Sequence, residues 1–276
     1  MKQTMLKSIK TPVLSSGLLA AVMFVQPLLG LIFREWYRDV DWIKTAWLGN
    51  DWITLTVALP LLIVAVLLAK RGSIAGLLLW LGILGYAVYN YAYYLFGAVL
   101  NAFFPLYVSA LMLSVLSLVV SLSRIDMKAA ADCFRPRTPV RLLGGLLATI
   151  GIGLAAVWLL MWAAYIFAGR PTPVETEAFK IVAALDITII AFLLVFGGIL
   201  LWRRIAVGYI TAAIAAILST LYLIVLSVNS LVAILQGMTK APGELPLWGT
   251  LAALTATAAG FLLCGVRTTG RERLEN

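Results

Sequence analysis

Eight long apolar runs follow one another along this chain of 276 residues, and they constrain its fold more than any other feature. A helix needs about 20 mostly apolar residues to cross the hydrocarbon core of a bilayer. The runs cover residues 12–33, 52–69, 73–97, 99–122, 141–168, 178–202, 205–235 and 247–266. Hydrophobic residues make up 63% of the chain and charged residues only 12%, too few to cover a surface in water. The sequence therefore predicts an all-α integral membrane protein with about eight transmembrane helices.

The first apolar run follows a basic segment, Met1 to Lys10, which is also how a secretory signal peptide begins. This run is longer than the apolar core of a signal peptide, and no small-residue cleavage site follows it. We therefore expect a first helix that is retained in the membrane.

Lys and Arg are divided unevenly between the two ends of the predicted helices. Most of the 21 basic residues lie at the N-terminus, in the turns Lys70-Arg71 and Arg203-Arg204, around the central loop 126–140, and in the C-terminal tail. The opposite end carries Arg34, Arg38, Lys44, Arg170, Lys180 and Lys240. Because cytoplasmic loops are enriched in Lys and Arg, this asymmetry predicts that both termini are cytoplasmic. The net charge of +9 then belongs to these loops, so we expect no nucleic-acid partner.

Two stretches of the chain resemble each other. Residues 43–71 and 179–204 each contain an apolar-Lys pair, an aspartate (Asp51 or Asp186), a long apolar run and a basic pair. Aligning them takes three one-residue gaps. The similarity predicts two parallel four-helix units, residues 1–125 and 141–276, joined by the cytoplasmic loop 126–140. The alternative is that any two helical hairpins with basic turns look alike.

The residue types that usually carry metal and redox chemistry are scarce. The chain has no histidine, which removes the usual haem ligand, most zinc sites and the usual general base near neutral pH. Its two cysteines, Cys133 and Cys264, lie in no cluster with metal-ligand spacing. We therefore expect neither a metal nor a cofactor.

Polar side chains within the apolar runs are the first candidates for function, because they are costly in a membrane. They are Gln26, Asp51, Asn90, Asn101, Asp186 and Asn229. Counting about 1.5 Å of helical rise per residue from the basic turns places all six in the outer half of the membrane. A path across the membrane would leave polar groups at several depths. The one-sided distribution instead predicts a polar pocket that opens to the outside.

Each of the two carboxylates has a second interpretation. Asp51 stands at the start of the second run and is predicted to cap that helix, where a carboxylate favours the helix dipole; a functional role is the alternative. Thr172, Pro173 and Glu175 match a capping box, which predicts that the sixth helix begins at Pro173. Asp186 then lies well inside its helix, either as a functional group or in a structural hydrogen bond.

Aromatic residues crowd the outer end of the third run. Tyr86, Asn90 and Tyr93 share one helix face at positions i, i+4 and i+7. The tyrosines form either an aromatic belt at the membrane interface or the wall of a ligand site. The loop 34–51 is also rich in Trp and Tyr, which predicts a short interfacial helix with its rings at headgroup level.

The third run, Leu-Leu-Trp-Leu-Gly-Ile-Leu-Gly-Tyr-Ala-Val-Tyr-Asn-Tyr-Ala-Tyr-Tyr-Leu-Phe-Gly over residues 78–97, resembles a segment in a group of uncharacterised bacterial multi-pass inner-membrane proteins. The resemblance covers this helix and the turn region at Trp202-Arg203-Arg204. It implies a bacterial inner membrane and no particular activity.

Three functions are compatible with this sequence. The first is a transporter, or a transporter subunit, that binds a small solute in an outward-facing pocket. The residues expected to form that pocket are Asp186, Asp51, Asn90, Asn101, Tyr86, Tyr93, Gln26 and Asn229. The second is a sensory or scaffold protein that docks a protein partner. The third is an outer-leaflet enzyme with Asp51 and Asp186 as an acid–base pair, although no motif identifies a catalytic residue. In every case we expect contact with membrane lipid.

Overall fold

The computed structural model describes residues 10–237 and 244–267, and most of these are helical. Eight of the helices are long and apolar enough to cross a membrane: α1 (Lys10–Ile32), α2 (Asp41–Lys70), α3 (Ile74–Gly97), α4 (Phe104–Leu122), α5 (Val140–Ala168), α6 (Thr176–Trp202), α7 (Ala206–Leu235) and α8 (Glu244–Cys264). The prediction of eight membrane helices is confirmed. The predicted basic N-terminus before Lys10, Lys240 and the tail beyond Arg267 lie outside the described residues.

Helix α2 differs most from the prediction, because it begins at Asp41 and continues to Lys70. Between α1 and α2 the described residues form only one 3-10 turn, Arg34–Trp36, and residues 41–51 belong to α2 itself. The prediction of a separate interfacial helix within 34–51 is therefore wrong. The polar residues of its first turns lower the local hydropathy and conceal the start of the helix. A π turn at Thr54–Ala58 interrupts α2 just before Pro60, whose ring would clash with the carbonyl group four residues earlier in a regular helix.

Two further helix starts differ from the prediction. Helix α6 begins at Thr176 rather than Pro173, and the capping-box prediction is wrong because the Thr172 hydroxyl donates to the Val174 carbonyl at 2.7 Å instead. Helix α4 begins at Phe104, and Asn101 lies in the turn before it. There the Asn101 side chain accepts a hydrogen bond from the Phe103 amide at 2.9 Å.

Helices α3 and α7 form the centre of the bundle and are the most buried of the eight. They pack against each other where Gly82 of α3 meets Ile217 of α7; a Cβ at Gly82 would lie 2.6 Å from the Ile217 Cγ2 atom. The other six helices surround this pair and leave large apolar side chains exposed, among them Leu160 and Phe167 on α5. These exposed faces indicate contact with membrane lipid.

The central loop is tied to the end of α8 at the same end of the bundle as the basic turns. A short helix, Met127–Asp132, begins after Asp126, whose carboxylate accepts from two backbone amides. The Arg135 amide donates to the Gly265 carbonyl at 2.8 Å, and the Arg267 amide donates to the Cys133 carbonyl at 2.9 Å. Both cysteines therefore lie at the basic-turn end.

Candidate functional site

A cavity of about 650 Å³ lies at the end of the bundle away from the basic turns, within the size range of small-molecule sites. Its lining comes from α2, α3, α6, α7, α8 and the loop before α6: Trp42, Thr45, Ala46, Asn50, Tyr86, Tyr89, Asn90, Tyr93, Pro173, Val174, Val182, Tyr222, Val225, Leu226, Asn229, Ser230, Ala233, Glu244 and Trp248. Four of the candidate residues from the sequence, Tyr86, Asn90, Tyr93 and Asn229, are in this lining. The other four, Gln26, Asp51, Asn101 and Asp186, lie outside it.

A chain of hydrogen-bonded side chains runs along one wall of the cavity and joins three helices. The Asn229 amide of α7 donates to the Asn50 oxygen of α2 at 3.1 Å, and the Asn50 amide donates to the Asn90 oxygen of α3 at 3.2 Å. The Asn90 amide in turn donates to the Thr54 hydroxyl at 3.3 Å, which is 3.2 Å from the Tyr86 hydroxyl. This amide chain places several polar groups within an otherwise apolar bundle, where each can orient a ligand.

Asn50 is the member of the amide chain that sequence reasoning missed. It was assigned to the loop before the second apolar run, whereas in the structure it is buried inside α2. The preceding residue, Gly49, explains how α7 comes so close, because the Asn229 side chain occupies the space that a Cβ at position 49 would fill. In the sequence, the run Gly49-Asn50-Asp51 could have indicated a buried polar site. Only the packing of α2 against α7 shows that these residues lie inside a helix.

Asp186 lies directly behind the cavity wall and is fully buried. The Tyr89 hydroxyl donates to its Oδ1 atom at 2.6 Å, and the Tyr222 hydroxyl and the Trp158 indole N–H donate to Oδ2 at 2.7 and 2.9 Å. A π turn, Asp186–Ala191, begins at this residue, as π turns often do at functional positions. Tyr89 and Tyr222 also line the cavity, and their rings meet edge to face at 4.9 Å. Asp186 is therefore separated from the cavity by one side chain on each side of its carboxylate, Tyr89 or Tyr222.

Asp51 belongs to a separate, closed cluster. Its Oδ2 atom accepts from the Tyr37 hydroxyl at 2.7 Å, and its Oδ1 atom accepts from the Tyr94 hydroxyl at 2.7 Å and from the Gln26 amide at 3.1 Å. The prediction that Asp51 caps α2 is wrong, because Val40 occupies the N-cap position and Asp51 is well inside the helix. Burial, together with the adjacent Asp51 carboxylate, raises the pKa of Tyr37 above its ordinary value, so this phenol keeps the proton that it donates.

An aromatic shell encloses the Asp51 cluster. The Tyr94 ring stacks on Trp47 at 4.6 Å and on Tyr107 at 4.9 Å, and the Trp47 indole donates to the Asp39 carboxylate at 3.0 Å. The interpretation of the α3 tyrosines as an interfacial belt is wrong, because most of them face the protein interior. Those that are buried are Tyr86, Tyr89, Tyr91 and Tyr94, and Tyr93 is partly buried in the cavity lining.

The buried carboxylates of α2 and α6, Asp51 and Asp186, have similar surroundings but share no hydrogen-bond partner. Each accepts from a residue of the preceding helix, Gln26 of α1 or Trp158 of α5, and from a tyrosine of the following helix. Neither is bonded to the other, so the acid–base pair considered for an enzyme does not form. Among the described residues, neither has a Lys or Arg within ion-pair distance.

No protein-family model, curated protein or solved structure matches this chain. Of what the resemblance of residues 78–97 implied, one part is supported: the described residues contain eight apolar helices, as in a multi-pass membrane protein. In residues 10–237 and 244–267, no group of three or more His, Cys, Asp or Glu side chains is arranged to hold a metal ion.

Proposed function

We propose that this chain is an inner-membrane transporter, or the membrane subunit of one, that binds a small solute in the cavity between α2, α3, α7 and α8. The observation that carries the proposal is the amide chain of Asn229, Asn50 and Asn90 on the wall of a cavity of about 650 Å³. With the basic turns on the cytoplasmic side, as their charge favours, the cavity faces outward.

The position of the cavity supports solute binding. Its lining comes both from α2 and α3 and from α6, α7 and α8, so it lies between the two proposed four-helix units. Transporters built from repeats bind their substrates at such an interface. Buried polar groups in a membrane protein generally mark a substrate or ion pathway, and here Asn50, Asn90 and Asn229 all line one cavity.

The first test is a solute screen on the purified protein in lipid nanodiscs, with thermal stabilisation as the signal. Asn50→Ala removes one link of the amide chain, and we expect the Kd of a hit to rise roughly five- to tenfold, the equivalent of about one hydrogen bond. Asn101→Ala is the matched control, because Asn101 is also a buried asparagine but lies outside the cavity lining. Equal Kd values for wild type and Asn50→Ala would contradict the proposal.

The second test separates transport from binding alone. Proteoliposomes with the protein reconstituted in their membrane should accumulate a radiolabelled solute identified in the screen. The rate of uptake should fall in Asn50→Ala as the affinity for that solute falls. Binding without uptake would assign the chain to the sensory or binding class instead.

Partner docking is the second candidate function, and one observation favours it. Trp162, Tyr165 and Phe167 are all exposed near the outer end of α5, with 78% of Phe167 accessible. A stoichiometric partner that co-purifies with the wild type and is lost with Phe167→Ala would support this function over transport.

The internal repeat and the bacterial inner membrane remain part of the same proposal. In both units the second helix carries a buried aspartate next to a π turn and ends at a basic pair. In each unit consecutive helices pack together, although α1 packs on α4 far more closely than α5 packs on α8. If the repeat is real, related sequences should keep both aspartates and both basic pairs; loss of one set alone would contradict it.

A further inference from the structure

We infer that the solute bound in this cavity is an organic cation, such as a quaternary or primary ammonium compound, held by aromatic rings in front of the Asp186 carboxylate. This inference rests on the proposed function and specifies its ligand class. It follows from the aromatic lining, the distribution of charge and the direction of the phenol hydrogen bonds.

The cavity lining is rich in aromatic rings. Six rings contribute to it: Trp42, Tyr86, Tyr89, Tyr93, Tyr222 and Trp248. The faces of Trp and Tyr rings attract cations through their quadrupole, and the attraction is stronger where water is excluded. Rings from four helices meet at this site, which is the arrangement by which aromatic cages hold ammonium groups.

Among the described residues, the charged side chain of the cavity lining is acidic. Glu244 is part of the lining, and the lining contains no Lys or Arg among the described residues. Lys180 of α6, the nearest basic residue in sequence to Asp186, forms an ion pair with Glu177. Asp186 itself is held by two phenols and an indole. A cation in the cavity would supply the opposite charge that this buried carboxylate lacks among the described residues.

The phenol hydrogen bonds point in the direction that a cation requires. Tyr89 and Tyr222 use their protons to donate to Asp186, so only their oxygen lone pairs and ring faces are left for a ligand. Donation to a carboxylate also makes the phenol oxygen more electron-rich. Both groups therefore stabilise a positive charge in the cavity and repel a negative one, and Asp186 acts as a positioning residue through them.

Three probes of the same shape test the charge preference: choline, the neutral 3,3-dimethylbutan-1-ol and the anionic 3,3-dimethylbutanoate. Each is titrated by calorimetry into the full-length protein in nanodiscs of neutral lipid. We expect wild type to bind choline at least about tenfold more tightly than the neutral alcohol, with no binding of the anion.

Asp186→Asn keeps the shape of the side chain and removes its charge, and it should reduce the preference for choline over the alcohol to the part that the aromatic rings and Glu244 supply. Asp51→Asn is the matched control, because Asp51 is equally buried and also accepts three hydrogen bonds, but lies away from the cavity. It should keep the full preference. Should Asp186→Asn fail to fold, Glu244→Gln at the exposed edge of the cavity provides a second variant, with a smaller expected loss of choline affinity.

The outcomes separate this inference from the proposed function. Equal binding of choline and the alcohol by wild type, tighter binding of the anion, or unchanged choline binding by folded Asp186→Asn would overturn the cation assignment. If solutes of another charge bind and their affinity falls in Asn50→Ala, the proposed function is supported and only the cation assignment is wrong. If neither the probes nor any solute of the screen binds the folded wild type, both fail.

Discussion

The crossing of α5 and α6 gives a quantitative prediction about stability. Gly144 of α5 and Gly198 of α6 bring the two backbones together, and a Cβ at position 198 would lie 2.6 Å from the Gly144 carbonyl oxygen and 2.8 Å from the Ala148 nitrogen. Ordinary contacts begin at 3.4 Å, and both of these neighbours are backbone atoms that cannot rotate away. Gly198→Ala therefore requires the two helices to separate.

The cost follows from how far they must separate. The first contact is roughly 0.8 Å too short, and gaps of about 0.5–1 Å forfeit a quarter to a half of the dispersion energy of the atoms they separate. Overpacking of this kind costs about 1–3 kcal/mol. We expect Gly198→Ala to lower the free energy of unfolding by that amount, because α5 has few other close contacts within the bundle.

Reversible unfolding in mixed micelles of SDS and a mild detergent measures this free energy directly. Gly145→Ala is the control, because a Cβ at Gly145 would meet nothing within 4 Å and alanine favours the helix. We expect Gly145→Ala to be neutral or slightly stabilising. If the two variants unfold at the same SDS fraction, close backbone contact does not hold α5 to α6 and the reasoning is refuted.

Two further predictions concern the buried polar cluster and the orientation of the chain. Tyr94→Phe removes a hydrogen-bond donor to Asp51, and we expect it to lower the free energy of unfolding by about 1–3 kcal/mol in thermal unfolding experiments. Tyr93→Phe is the control and should leave this free energy unchanged, because the Tyr93 hydroxyl makes no hydrogen bond among the described residues. A membrane-impermeant maleimide should label neither cysteine in intact cells. After permeabilisation, the exposed Cys264 should react before Cys133, whose thiol pKa is raised by burial and by the neighbouring Asp132. Labelling of either thiol in intact cells would reverse the proposed orientation.

Hydropathy predicted the helices well wherever the chain is uniformly apolar. The ends of α3, α5 and α7 lie within a residue of the apolar runs, because lipid-facing and buried positions of a membrane helix are both apolar and need no tertiary information. The prediction was wrong at the start of α2, where Thr45, Asn50 and Asp51 interrupt the apolar pattern. Side chains of α1, α3 and α7 satisfy the polar groups of Asn50 and Asp51 and allow this segment to be buried as a helix.

Residue type also identified the buried carboxylates Asp51 and Asp186 and the buried amide Asn90, because few polar side chains are tolerated in a membrane without a partner. Asn90 and Asn229 were chosen from the sequence on this ground, and both line the cavity. Asp51 and Asp186 were both among the residues expected to form one pocket. Asp51 lies in a closed cluster and Asp186 lies behind the cavity wall, and only the rotation of α2 and α6 about their axes makes that difference.

The sequence alone thus determined the number of helices, most of their ends and several of the residues that had to find polar partners, because these depend on the local transfer of side chains from water to lipid. The tertiary structure decided which partners they found. Partner choice depends on how closely the helices approach, and that is set by small residues such as Gly49 and Gly198, whose effect lies in contacts with helices distant in the sequence. Hydropathy averages over such positions, so the cavity, the amide chain and the placement of Asp186 emerge only when the eight helices are packed together.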